Sequence, residues 1–202
     1  MKIVVFFSGT GTNLESILKE QKNYGYEVVS AFTNNPDAKG IQICKEYKTE
    51  CKIIDHRNFI SREDFDKNIS NFLNQINPDY IILAGYMRII SESLVNDWEG
   101  QIINIHPSLL PKYPGLDTHK KVLEAKDKLH GTTIHYVTDK LDAGPIIRQE
   151  SFEIEPNDTV DSLTNKVKEI ENRSYPEIIG WLKMRKEEQE RNLRKEEQER
   201  EF

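Results

Sequence analysis

Asn104 and His106 stand two residues apart in the run Gln101-Ile102-Ile103-Asn104-Ile105-His106-Pro107, and further along Asp142 sits in the loop Asp139-Lys140-Leu141-Asp142-Ala143-Gly144-Pro145. An amide, an imidazole and a carboxylate suit direct attack of a substrate amine on an acyl carbon. The amide N–H and a charged imidazole stabilise the oxyanion of the tetrahedral species, at ~3 kcal/mol for each well-placed donor in a dry site. A carboxylate facing the imidazole assists transfer of the proton from the attacking amine to the leaving nitrogen. No Ser or Cys stands out as a nucleophile, so no covalent enzyme intermediate is required.

Strand geometry must position these groups. Alternate residues of a strand share a face, so Asn104 and His106 point one way and Ile103 and Ile105 the other. Pro107 has no N–H for a ladder and ends the strand, and Pro111 and Pro114 keep the following loop stiff. Open α/β sheets place their chemistry where a strand gives way to a loop. A single buried Asn or His more often only completes hydrogen bonds; the pair closed by proline favours a site.

The 202-residue chain is long enough for one domain with a full core, and its net charge of -6 argues against a surface for nucleic acid, which needs clustered Lys and Arg. The opening Lys2–Phe7 is too short for a signal peptide or a membrane span and reads as a first strand, which places the protein in the cytoplasm. Cys44 and Cys51 have no neighbouring His or acidic cluster, so they predict neither a disulfide nor a metal site.

The rest of the chain alternates as βα units. After the first strand, Ser8-Gly9-Thr10-Gly11-Thr12-Asn13 opens a helix beginning with Leu14, and a Gly-rich turn at a helix N-terminus suits a phosphate. It lacks the third glycine of a dinucleotide fingerprint, so a single phosphate monoester fits better than a nicotinamide cofactor, and by itself the loop could be only a tight turn. Strands are expected near 27–32, 52–55 and 80–84, and helices near 40–47, 61–76 and 91–96, with Ser61 and Ser91 as caps. Gly85-Tyr86-Met87-Arg88-Ile89-Ile90, at the end of the 80–84 strand, could wall a pocket for a flat heterocycle or simply pack with Arg88 in solvent. A short helix is expected over 118–125.

Residues 130–138 then alternate as a strand with Thr133, His135 and Val137 on one face, and 146–154 returns as another. This pair predicts antiparallel strands added to a parallel sheet, with the Asp142 loop over Asn104 and His106. Residues 157–181 form a long helix with Val160, Leu163, Val167, Ile170 and Ile178 inward, which Pro176 is expected to break or kink. From Lys183 the sequence changes: Arg185–Arg191 recurs nearly unchanged as Arg194–Arg200, with seven charges of each sign over 183–202, so this segment reads as a neutral solvated helix. Glu187 with Arg191 and Glu196 with Arg200 have the spacing of i,i+4 pairs. The expected organisation is a catalytic domain over 1–182 and a charged helical tail over 183–202.

Taken in order, Ser8–Leu14, Gly85–Ile89, Asn104–Leu116, His130–Thr132 and Leu141–Pro145 resemble the phosphoribosylglycinamide formyltransferases, and the resemblance covers roughly residues 1 to 182. It implies a Rossmann-like, mostly parallel seven-stranded sheet and transfer of a formyl group from 10-formyltetrahydrofolate, the cosubstrate, to the amine of 5-phosphoribosylglycinamide in purine biosynthesis, with no metal. In that frame Asn104 and His106 stabilise the oxyanion, Asp142 pairs with His106, and His135 supports the network. Gly11, Thr12, Asn13 and Glu171 hold the ribonucleotide. Met87, Arg88, Ile89, Ile90, Asn104, Asp139, Lys140, Leu141 and Asp142 contact the folate. The implied partners are small molecules, with no nucleic acid and no membrane, in a monomer or homodimer. Asp117 departs from the His or small residue often found there, and the repeated tail is no part of the family pattern.

Related alternatives share the Asn, His and Asp. A formyltetrahydrofolate deformylase gives the formyl group to water and usually carries an N-terminal regulatory domain. Methionyl-tRNA formyltransferases add a C-terminal RNA-binding barrel, and a sugar-nucleotide amine formyltransferase would not favour this phosphate loop. Outside enzymes, a folate or phosphate binder, or a scaffold acting through its tail, are the rival classes.

Overall fold

The computed structural model describes residues 1–200. Glu201 and Phe202 lie outside the described residues, as does the Arg200 side chain and with it the expected Glu196–Arg200 pair.

Seven strands form one sheet in the order β3-β2-β1-β4-β5-β6-β7. Strands β1 (Lys2–Phe7), β2 (Glu27–Thr33), β3 (Cys51–Ile53), β4 (Tyr80–Leu83) and β5 (Ile102–His106) run parallel. Strands β6 (Leu129–Tyr136) and β7 (Ile146–Glu153) are antiparallel additions at one edge, as the sequence predicts. The strand order reverses between β1 and β4, which is where such sheets open a crevice beyond their carboxyl ends.

Strand β1 is apolar on both faces because both are covered. Ile3, Val5 and Phe7 join Leu14, Ile17 and Leu18 of α1 (Thr12–Tyr24) and Tyr175 and Ile179 of α6 (Val160–Arg200). Val4 and Phe6 face Phe65, Ile69 and Leu73 of α3 (Arg62–Ile76) on the other side. The helix starts follow their caps: the Ser61 hydroxyl accepts from Asp64 N, and the Ser91 hydroxyl from Leu94 N at the start of α4 (Glu92–Asp97). The two remaining helices, α2 (Gly40–Glu46) and α5 (Thr118–Glu124), are short.

Helix α6 differs from expectation in four respects. It begins at Val160, where Thr159 and Ser162 exchange N–H to hydroxyl hydrogen bonds of 2.8 and 3.2 Å. It then runs unbroken through Pro176 to Arg200, so the tail continues the helix. A proline inside a helix costs about 3 kcal/mol, but here buried residues flank it on both sides. Tyr175 and Ile179 are fully buried, and the Tyr175 hydroxyl donates to the Leu83 carbonyl at 2.9 Å and lies 3.1 Å from the Ile103 carbonyl, holding the helix to β4 and β5. Finally, Val160 is exposed rather than inward, and Glu187 pairs with Lys183 at 2.9 Å instead of with Arg191. No helix among the described residues is long and apolar enough to cross a membrane.

Candidate active site

A cavity of about 960 Å³ opens at the carboxyl ends of β1, β4 and β5. Each strand contributes the loop that follows it, and the loop between β6 and β7 covers the far side. Every site residue expected from the sequence lines this one cavity: Gly11, Thr12, Asn13, Met87 to Ile90, Asn104, His106, His135, Asp139 to Asp142, and Glu171.

Antiparallel pairing assembles the centre. Asn104 lies opposite His135, and His106 opposite Thr133, so the two histidines and the amide share one face. The hydrogen bonds then assign the ring protons. His135 Nδ1 lies 2.9 Å from the Tyr136 carbonyl, which can only accept, so Nδ1 carries a hydrogen. Burial pushes this imidazole below its ordinary range, leaving it neutral with a lone pair on Nε2. That lone pair faces the Asn104 amide nitrogen at 3.2 Å. The amide is thereby oriented, with its second N–H free for a ligand.

His106 is held from behind: its Nε2 lies 2.9 Å from the Tyr113 carbonyl and therefore donates to it. Its Nδ1 is 3.4 Å from Asp142 Oδ2, and both side chains are buried, at 7% and 8% exposed. A hydrogen on Nδ1 as well gives an imidazolium with each N–H facing an acceptor. Asp142 Oδ2 also accepts from Gly115 N at 2.8 Å, and Oδ1 is 3.8 Å from His135 Nε2. Asp142 has φ of 49°, a left-handed conformation that a non-glycine residue adopts at a cost of about 1–2 kcal/mol, so the loop is bent to aim this carboxylate.

At the phosphate loop, α1 starts at Thr12 behind Gly11, whose φ of 80° and whose closeness to Gly40 exclude a side chain. A Cβ on Gly11 would lie 2.8 Å from Gly40 Cα. The first N–H groups of α1 are free of helix partners at the cavity wall, a setting that favours an anion. Asn13 donates from Nδ2 to Glu171 Oε2 at 3.0 Å, whereas its buried Oδ1 has no partner among the described residues. Around the mouth, Met87, Ile89, Leu116 and Leu141 are more than half exposed. Arg88 is not left in solvent: it is half-buried, and its guanidinium lies over the Phe65 ring, 5.2 Å from the centroid. Asp117, exposed at the start of α5, lines the same cavity.

Three ionisable cavity residues, His119, Lys120 and Lys168, were not singled out in the sequence. Lys168 sits three residues before Glu171 on α6 and brings a cation near that carboxyl. The i,i+3 spacing on one helix face was its only signal. Among the described residues no group of His, Cys, Asp and Glu could hold a metal ion, and Cys44 and Cys51 are free thiols.

The formyl transferase family matches residues 1–179, and the chain belongs to that family. It is 40% identical over 183 residues to the phosphoribosylglycinamide formyltransferase of Escherichia coli, covering 90% of this chain and 86% of that one. It is also 40% identical over 178 residues to the trifunctional purine biosynthetic protein adenosine-3 of Gallus gallus, of whose length it spans 18%. Among solved structures, the phosphoribosylglycinamide formyltransferase of Coxiella burnetii superposes with a TM-score of 0.86 at 42% identity, covering 90% of this chain and 86% of that one. The enzyme of that name from Bacillus halodurans gives 0.86 at 38%, with 90% and 95% covered.

Proposed function

We propose that this chain transfers the formyl group of 10-formyltetrahydrofolate to the amine of 5-phosphoribosylglycinamide, a step of purine biosynthesis. The observation that carries the reading is that a phosphate loop, an apolar-rimmed loop and the Asn104, His106 and Asp142 centre open into one cavity. Gly11, Thr12, Asn13 and Glu171 hold the ribonucleotide and residues 87–90, Asn104 and 139–142 the folate, so the amine and the formyl carbon meet beside Asn104 and His106.

The neutral amine forms a C–N bond to the formyl carbon, and the carbonyl oxygen becomes an oxyanion that takes the free Asn104 N–H beside the His106 ring, whose two nitrogens are turned to the Tyr113 carbonyl and Asp142. Asp142 accepts the proton of the attacking nitrogen and returns one to N10 of the folate as the C–N10 bond breaks. Residues 1–182 serve as the catalytic unit, in the cytoplasm, as a monomer or homodimer, and 183–202 as an extension without catalytic part.

The test is spectrophotometric release of tetrahydrofolate from 10-formyltetrahydrofolate. Release that requires the ribonucleotide supports the transferase. Release without it marks a hydrolase, and none in either case overturns the reading.

A further inference from the structure

The His130-Gly131-Thr132 segment of β6 contributes a residue whose place is not explained by the chemistry above. Thr132 is 1% exposed and lies on the face of β6 opposite to His135, toward α6. Its Oγ1 is 2.9 Å from the carbonyl oxygen of His106 and 3.3 Å from Glu171 Oε1. Glu171 is itself 7% exposed, and its other oxygen accepts from Asn13.

A threonine hydroxyl has one hydrogen. A carbonyl oxygen can only accept, so the shorter contact, to His106, takes that hydrogen. What Oγ1 then presents to Glu171 is lone pairs, and an ionised carboxylate would answer with lone pairs of its own. Two acceptors facing each other in a buried site repel. A hydrogen on Oε1 removes the conflict and leaves an unbroken chain: Glu171 donates to Thr132, Thr132 donates to the His106 carbonyl, and Asn13 donates to Glu171 Oε2.

We propose that Glu171 is an un-ionised carboxylic acid in the free protein, and that Thr132 is the positioning residue linking this acid to the backbone of His106. Burial acts in the same direction, pushing the Glu171 carboxyl above its ordinary range, with the Asn13 hydrogen bond and the charge of Lys168 opposing it; the Thr132 hydroxyl would oppose it only with its hydrogen turned from the His106 carbonyl to Oε1. The titratable and charged groups around it are Lys168 and Tyr175 of α6; α1 and β6 offer only the neutral Asn13 and Thr132. Burial holds the Tyr175 hydroxyl neutral, and it is engaged with the Leu83 and Ile103 carbonyls. A neutral acid beside residues 9–13 does not repel a phosphate, as a carboxylate would. Only this purpose, not the protonation itself, rests on the function proposed above.

The test is infrared difference spectroscopy on the ligand-free full chain at about pH 6, wild type minus Glu171→Gln, so that the buried Asp66 cancels. The expected result is a carboxylic-acid C=O band from Glu171. In Thr132→Val the band moves to higher wavenumber because the acid has lost its acceptor, and Thr132→Ser returns it to the wild-type position, with circular dichroism confirming the fold of each. Absence of the band in wild type, or a band that Thr132→Val leaves in place, overturns the proposal. No substrate enters the measurement, so its failure is distinct from failure of the assigned reaction.

Discussion

The Asn104 side-chain nitrogen lies 3.2 Å from His135 Nε2, while Nδ1 of the same ring is 2.9 Å from the Tyr136 carbonyl. A backbone carbonyl thus selects the tautomer of one side chain, and that side chain orients the amide that the proposed reaction sets against the oxyanion. Replacing His135 by Phe keeps a ring in place but removes the acceptor. The expected result is a fall in kcat of about tenfold to a hundredfold, less than for loss of the amide itself. A rapid-mix assay at saturating substrates checks it; unchanged kcat would mean that Asn104 is held by something else.

Gly11→Ala places a Cβ against Gly40 Cα at 2.8 Å on a backbone with φ of 80°. The two strains together are expected to lower unfolding stability by about 2–4 kcal/mol. Urea denaturation reads this as a lower midpoint with an unchanged slope.

His130 is 1% exposed, pairs with His119 Nδ1 at 2.8 Å, and is pushed down to about 4 by burial first and by His119 second. In the unfolded chain it protonates at the ordinary value of 6.5. Below that pH the unfolded state binds the proton and the folded state does not, so stability falls as pH drops from 6.5 toward 4 and levels off below. The full effect is about 3 kcal/mol. His119 and His135 are shifted the same way and add to the slope. Thermal melts between these pH values on His130→Gln are expected to show a shallower acid slope than wild type.

A chain ending at Lys186 keeps the ion pair of Lys186 with Asp79 at 2.8 Å and the Arg185 stack on Trp181. The ion pairs beyond it are exposed and worth little. Its kcat is expected within about twofold of the full chain and its stability within about 1 kcal/mol. A larger loss of activity would assign the tail a part in the reaction.

Local rules made much of this architecture legible. The apolar run of β1, the Ser61 and Ser91 caps and the proline after His106 each state their element, and the 2.0-residue period of β5 and β6 puts Asn104, His106 and His135 on shared faces. The hairpin-like pair of strands around the turn-rich Asp142 loop predicts that this loop lies over Asn104 and His106, and Asp142 reaches the imidazole at 3.4 Å. What local rules missed depends on tertiary partners. Pro176 does not stop α6, because Tyr175 and Ile179 are buried on either side of it. Val160 fits the apolar period of its helix, yet it lies at the cavity edge rather than under the sheet. Strand β3 starts one residue earlier and ends two earlier than expected, since its boundaries follow its pairing with Ala31 to Thr33 and not its own composition. The tautomers of both histidines come from the carbonyls of Tyr136 and Tyr113, and no side-chain pattern announces a carbonyl.

The most direct measurement is the single-turnover rate of Asp142→Asn with both substrates saturating. The change keeps the shape of the side chain but removes the carboxylate that faces His106 Nδ1 and that the proposed reaction uses to carry the proton between nitrogens. The rate is expected to fall by about a thousandfold with the fold and the ribonucleotide affinity retained. A rate within about threefold of wild type would contradict the assignment of Asp142 and His106 as the centre of the reaction.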